Sequence, residues 1–172
     1  MNELTIKLAN HWHTECRDPQ GSLVWEDDSW NLIPRQGGGK LLTDTFASTA
    51  YTSAWYLGLV NTGASFATTD THASHAGWTE LTNYVSATRP AITFPTLDIT
   101  TNVTSITSPQ VTFVTTGSGT AAGIFLSNVS TKGSTAGGSS IIYGEVAFSG
   151  GDKVYLVDYL IICTLTLTAT VS

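Results

Sequence analysis

Four histidines fall in two pairs, and paired imidazoles are the feature of this sequence best suited to hold a metal ion. His11 and His13 are two residues apart, so on a β-strand both side chains project from one face. His72 and His75 offer further imidazole ligands. Nothing in the sequence brings the pairs together, and polar packing or interface contacts beside tryptophans explain the histidines well. We therefore predict no metal site, and a metal-dependent barrel enzyme is kept only as a third hypothesis.

Other groupings that support catalysis in proteins are incomplete here. A serine hydrolase needs a strained nucleophile turn such as GxSxG, which the sequence lacks. Glu80 and Asp98 would have to meet across the fold to act as a glycosidase carboxylate pair. The glycines at 37–39 precede a predicted helix without the GxxxxGK(S/T) spacing of a phosphate loop, so a flexible hinge is favoured. The sequence predicts a protein that is not an enzyme and has no cofactor.

Glu80 and Arg89 carry opposite charges, and we predict that they pair and anchor a loop. Arg89 has two interpretations: it clamps a carboxylate on a neighbouring subunit, or its planar fork of donors ties its own loop to backbone carbonyls. We favour the second. Of the five tryptophans, three are predicted to lie in the core and two at an interface rim. The residues assigned as interface candidates are Trp12, His72, His75, Trp78 and Arg89.

Most of these side chains lie in residues 54–91, around which we expect the rest of the chain to be organised. The stretch opens with WYLGLV (55–60), whose aromatic and branched side chains predict a buried strand. A long polar crossing with His72 and His75 follows. Long loops inside compact domains are uncommon, so this one is either a functional surface or a lid tucked onto the core. We favour the lid.

The first elements around this stretch are predicted to form a hairpin. The DPQG turn at 18–21 suits a hairpin over residues 11–25. Its even-numbered side chains from Trp12 to Cys16 share one face, and the odd-numbered ones from His11 to Glu15 share a wetter face. The charges at 26–29 are expected to interrupt this pattern.

Further strands and one helix complete the predicted fold. Residues 40–46 place Leu41, Leu42 and Phe46 on one face of a short helix. Residues 130–140 are predicted to be a flexible polar loop. Residues 154–171 alternate threonine with apolar side chains, which is typical of an exposed or edge strand. Strands at short intervals between Gly, Ser and Pro turns predict an all-β fold, an antiparallel β-sandwich or jelly roll with one short helix.

Composition narrows the classes of partner. The chain has 172 residues and a net charge of −6, and its seven Lys and Arg residues are too few to form a phosphate-binding surface. We predict no nucleic-acid partner. The first residues lack the apolar core of a signal peptide, and no apolar run is long enough to span a membrane. Cys16 and Cys163 match no metal or redox motif, and they are expected to be free buried thiols, with a disulfide as the alternative that neighbouring terminal strands would allow.

The chain is expected to consist of an N-terminal arm (residues 1–10) and a single β-sandwich domain (residues 11–172). Short motifs in the same order occur in small virion proteins of tailed bacteriophages, which the chain resembles. These motifs are TECRDPQGSLVW (14–25), NLI (31–33), LLTDTF (41–46), WYLGL (55–59), HAGWTEL (75–81) and TRPA (88–91).

The resemblance implies a capsid decoration or cement protein. Such a protein would form a homo-oligomer, a dimer or trimer, on the exterior of the virion after assembly in the host cytoplasm. Its partner would be the major capsid protein, and we expect contacts through residues 1–10, 65–75 and 130–140. The alternative is a tail or fibre β-sandwich module that binds host-surface glycans, with Trp55, Trp78 or Tyr84 stacking on sugar rings.

Overall fold

The computed structural model describes residues 6–30, 32–44, 54–95 and 103–171. Two antiparallel sheets pack face to face, and a core cluster with side chains from both sheets lies between them. The prediction of an all-β antiparallel sandwich with one short helix is confirmed. In the described part of the chain no helix is long and apolar enough to cross a membrane.

The elements are numbered in chain order. They are β1 (Ile6–Arg17), β2 (Leu23–Trp30), α1 (Arg35–Leu42), β3 (Trp55–Asn61), β4 (Glu80–Leu81), β5 (Ala91–Ile92), β6 (Val103–Thr107), β7 (Val111–Val114), β8 (Gly119–Ser127), β9 (Ile142–Ala147), β10 (Lys153–Tyr155) and β11 (Leu160–Val171).

The first sheet has the order β2-β1-β11, and β6 and β7 both pair with the far edge of β11. The hairpin is confirmed: β1 and β2 pair antiparallel around the predicted turn, where Gly21 adopts a φ of +84° that favours glycine. Strand β1 begins at Ile6, so the second half of the predicted arm belongs to the sheet. Residues 1–5 lie outside the described residues.

Two strands of this sheet differ from the sequence interpretation. Strand β2 continues through the charged stretch because Asp27 faces inward, where it accepts hydrogen bonds from the backbone N–H groups of Ser149 and Gly150 and pairs with Lys153. Residues 154–171 were predicted to form an exposed or edge strand; the edge position is wrong, because β1 pairs along one side of β11 and β6 and β7 along the other, and its threonine face is half-buried. Period-two alternation identifies the faces of a strand and not its neighbours.

The second sheet has β8 and β3 at its centre, with β9 and β10 on one edge and β4 and β5 on the other. Its central strands are apolar at nearly every position, and β8 is buried from Ala121 to Ser127. A strand whose side chains are buried on both faces must cover two surfaces. The inner face packs on the first sheet, and the outer face is covered by residues 62–79, here named the covering segment.

Helix α1 begins earlier than predicted and contains the three glycines that were interpreted as a hinge. Only glycine fits at position 37, because a Cβ there would lie 2.2 Å from the carbonyl oxygen of Tyr143. The helix therefore packs directly on the backbone of β9. Leu41 and Leu42 lie in its last turn, and Phe46 lies outside the described residues.

The cysteines lie on neighbouring strands, since Cys163 of β11 is opposite Thr14 and Cys16 of β1 is opposite Ile161. Both are free and buried. Burial raises the pKa of Cys16 to about 11 and that of Cys163 to about 12. The expectation of free buried thiols is confirmed, even though the terminal strands are neighbours.

Candidate functional site

The residues singled out in the sequence between 72 and 89 meet over the outer face of the second sheet. The covering segment leaves β3, crosses β8 and returns to β4, and the backbone N–H of Ser65 donates to the carbonyl of Gly77 at its base (2.9 Å). The two backbones approach so closely here that only glycine fits at position 77, because a Cβ there would lie 2.0 Å from the Ser65 carbonyl oxygen. The predicted lid on the core is therefore what the structure contains.

Arg89 lies at the centre of this site and is only 2% exposed. Its Nε and Nη2 each lie 2.9 Å from a carboxylate oxygen of Glu80, a two-point ion pair. Nη1 donates to the Val129 carbonyl (2.8 Å) and Nη2 to the Ser134 carbonyl (3.3 Å). The predicted Glu80 pair and the predicted ties to backbone carbonyls are both confirmed.

His72 is held as a neutral ring of defined tautomer. Its Nδ1 lies 2.8 Å from the Ala136 carbonyl oxygen, which can only accept, so Nδ1 carries the proton. Its Nε2 then accepts from Arg89 Nη1 (3.2 Å). Burial and the neighbouring Arg89 charge both lower the pKa of His72. With this bond all five guanidinium N–H groups of Arg89 have an acceptor.

Trp78 fills the space beside this network. His75 stacks on its indole with ring centroids 3.9 Å apart, and Phe66 and Phe125 contact it at 5.9 and 4.9 Å. The indole Nε1 donates to Asp70 (3.2 Å), and the Nδ1 of His75 lies 3.1 Å from the Trp78 carbonyl. The tryptophan is an anchor that holds the covering segment on β8.

Residues 130–140 were predicted to be a flexible polar loop, but the structure ties them to this site. Gly133 donates its backbone N–H to Glu80, and the carbonyls of Ser134 and Ala136 accept from Arg89 and His72. Lys132 donates to the Thr82 carbonyl (3.1 Å). The loop has few apolar side chains, so backbone hydrogen bonds rather than side-chain burial position it.

These residues surround a pocket of about 220 Å³. That volume is below the 300–1,000 Å³ typical of small-molecule sites. The charges of Arg89 and Glu80 compensate each other, and the donors of Arg89 are saturated. The geometry therefore suits the fixing of a loop better than the binding of an anionic ligand or the activation of a nucleophile.

A half-buried residue, Gln36, and a buried one, Glu145, complete this side of the protein and were missed in the sequence. Gln36 of α1 accepts from the backbone N–H groups of His72 (3.0 Å) and Ile142 (2.9 Å), which joins the helix, the covering segment and β9. Glu145 of β9 is 0% exposed, and within the described residues neither carboxyl oxygen meets hydrogen-bond geometry, although Asp70 and the Trp78 indole lie close enough to act on its pKa. The available signal for Glu145 was a lone carboxylate within the apolar run IIYGEVAF.

The two histidine pairs do not converge. His11 and His13 project from the solvent-facing side of β1, and Asp28 of β2 lies between them, 2.8 Å from His11 Nε2 and 3.1 Å from His13 Nδ1. Hydrogen bonds to Asp28 and Glu15 raise the pKa of His13 against the opposing effect of burial. Among the described residues, no group of three or more His, Cys, Asp or Glu side chains is placed to hold a metal ion.

Four of the five interface candidates are buried within this chain: Trp12, His72, Trp78 and Arg89. His75 is half-buried. Their interface role stays a prediction, and the contacts that the structure shows are internal.

The burial of the five tryptophans departs from the predicted division of three core and two rim residues. Trp12 and Trp78 are buried, Trp25 and Trp55 are half-buried against the core, and Trp30 is 68% exposed.

The aromatic residues proposed to stack on sugars have much of their ring surface covered. Trp78 is enclosed by other rings, and Tyr84 is buried between Phe113 and Lys132. Trp55 is half-buried, edge-on to Tyr143.

Comparison of the chain with protein-family models, with curated proteins and with solved structures finds no match.

Proposed function

We propose that this protein is a non-enzymatic structural protein of a tailed-bacteriophage virion, a decoration or cement protein that binds the outside of the major capsid protein shell. The observation that carries the proposal is an exposed apolar surface at one end of the sandwich, here named the apolar end. Its members are Leu23, Val24, Val154, Leu156 and Val157.

Hydrogen bonds and strand register bring these residues together. The Trp25 Nε1 donates to the Val154 carbonyl (2.8 Å), so the start of β2 lies against β10. Leu23 is opposite Arg17, and Arg17 is opposite Leu160 on the next strand. The loop from β10 into β11 thus reaches the same end as the β1–β2 turn. Clustered exposed aliphatic side chains are characteristic of protein-binding surfaces.

The rest of the molecule suits a rigid binding module. The buried ion pair and the His72 network fix loops onto the sheet, and the resemblance to phage virion proteins supplies the partner. A protein that binds the assembled shell, and not its free subunits, stabilises the shell by mass action. The proposed location is the capsid exterior, with assembly in the host cytoplasm.

The test is co-sedimentation of the purified protein with bare expanded capsids, together with the melting temperature of those capsids. We expect binding, and a higher capsid melting temperature at saturation. Val154→Asp should weaken binding at least about tenfold, because it places a charge in an apolar contact. Leu42→Asp is the matched control, since Leu42 of α1 is 61% exposed and Val154 is 62% exposed.

Two results would contradict the proposal: failure of the folded protein to co-sediment, or equal weakening by both substitutions. A glycan array probed with the same protein separates the alternative, because a tail or fibre module would bind sugars and leave capsids unbound.

A further inference from the structure

The covering segment lies over a buried carboxyl group, that of Glu145, beside which the described part of the chain places no cation. Glu145 is paired with Phe125 in the register of β8 and β9, so the two side chains share the outer face of the second sheet. Phe125 contacts Trp78 on that face. Glu145 therefore lies beneath the covering segment, fully shielded from solvent.

The surroundings of Glu145 oppose its ionisation. Among the described residues, the charged group that acts on it is Asp70 of the covering segment. Leu32 pairs with its backbone, and Phe125 lies opposite on β8. Burial, followed by the repulsion of the Asp70 carboxylate, raises the pKa of Glu145 to about 8. An ionised Glu145 would be a second buried negative charge beside Asp70, and the Trp78 indole, which partly lowers the pKa of Glu145, already donates to Asp70.

We propose that the covering segment is a proton-controlled lid, closed while Glu145 is protonated and opened when Glu145 loses its proton. Opening admits water to the carboxylate and separates it from Asp70. It also separates Phe66 and Trp78 of the segment from Phe125 of β8 and so exposes the smaller hydrophobic cluster, of which Trp78 and Phe125 are buried members and against which Phe66 packs. Arg89 holds the segment at His72, and Glu80 of β4 directly follows its last residue, so these contacts keep the segment attached to the sheet.

The size of the effect follows from linkage. The open lid returns Glu145 to its usual pKa of 4.5, against about 8 when closed. Between about pH 4.5 and about pH 8 the closed form holds a proton that the open form has released. Because the closed form also ionises above about pH 8, the opening equilibrium should increase on the order of 100-fold from about pH 6 to about pH 9.

Hydrogen exchange of the wild-type protein and Glu145→Gln, compared at the same pH, tests the proposal because intrinsic exchange rates then cancel. The reporters are the amides of Ser65 and Asp70, which are hydrogen-bonded within the segment, with the amides of β11 as reference. We expect the wild-type reporters to lose protection relative to the variant as the pH rises, while β11 stays protected. Glu26→Gln, at an exposed carboxylate, should behave like the wild type.

An equal pH effect in the wild type and Glu145→Gln would overturn the proposal, as would simultaneous loss of protection in β11, which indicates global unfolding. Asp70→Asn provides a second variant that does not alter Glu145, and it is followed at the Ser65 amide because the substitution changes the intrinsic exchange rate at position 70. It keeps an oxygen for the Trp78 indole and removes the repelling charge, so the loss of protection between about pH 6 and about pH 9 should be smaller than in the wild type. An undiminished loss would also refute the mechanism.

Discussion

Removal of the Arg89 side chain should be among the most destabilising single changes in this protein. Arg89 and Glu80 have side-chain exposures of 2% and 5%. Arg89→Ala leaves the Glu80 charge buried without its partner and removes the donors to Val129 and Ser134. Breaking a buried ion pair in this way costs about 3–5 kcal/mol, so we expect the free energy of unfolding to fall by about 4 kcal/mol.

The chain contains its own control for this prediction. Arg17 and Glu15 form a comparable pair on the solvent-facing side of β1, with side-chain exposures of 37% and 17%. Arg17→Ala should lower the free energy of unfolding by less than about 1 kcal/mol, because solvent screens an exposed pair. Urea denaturation followed by far-UV circular dichroism measures both variants on one scale.

Two further variants separate the ion pair from the packing of the arginine. Arg89→Lys keeps the charge but loses the planar fork, so its loss of stability should be intermediate. The double variant Glu80→Ala with Arg89→Ala removes both charges, and it should be at least about 2 kcal/mol more stable than the sum of the single losses predicts. If Arg89→Ala cost no more than Arg17→Ala, the argument from burial would be refuted.

Three other predictions concern protons, packing and thiols. Because folding lowers the pKa of His72, the unfolded chain binds a proton at this residue at a higher pH than the folded protein does, and the free energy of unfolding should fall as the pH drops below the usual value of 6.5. His72→Gln lacks this proton, so the difference in the free energy of unfolding between the wild type and His72→Gln should narrow from about pH 7.5 to about pH 5 in urea titrations. Gly37→Ala should destabilise by about 1–3 kcal/mol through its clash with β9, whereas Gly38→Ala, where a Cβ meets nothing within 4 Å, should stabilise by about 0.5–1 kcal/mol in the same assay. Cys16 and Cys163 should resist a thiol reagent at about pH 8 until the protein is denatured, since both are buried with raised pKa values.

Local sequence signals were sufficient where one short segment determines the structure. The alternation in β1 placed Trp12 inside and His13 outside, and the DPQG turn located the first hairpin. The pairing of Glu80 with Arg89 was also predictable, because the two residues are close in sequence and Arg89 is the nearest basic residue to Glu80 in a segment poor in charge.

The errors have a common physical cause in long-range contacts. Alternation predicted the faces of β11, but its interior position depends on β1, β6 and β7, which lie far away in the chain. Three glycines favoured a hinge on local propensity alone. A helix forms there because Gly37 lies against the backbone of Tyr143, a contact that no local propensity contains.

Glu145 shows how such contacts give a residue its properties. In the sequence it is a carboxylate in a strand, and an antiparallel strand often has one face in water, so solvent exposure is the natural expectation. The covering segment changes this, because it closes over the outer face of the second sheet and brings Asp70 to the same place. The ionisation of Glu145 thus depends on a contact between β9 and a distant loop, and that loop is in turn stable only while Glu145 is neutral. A titratable group and its cover are therefore coupled in both directions, so the same proton that fixes the charge of Glu145 should also determine whether the aromatic surface beneath the segment is exposed.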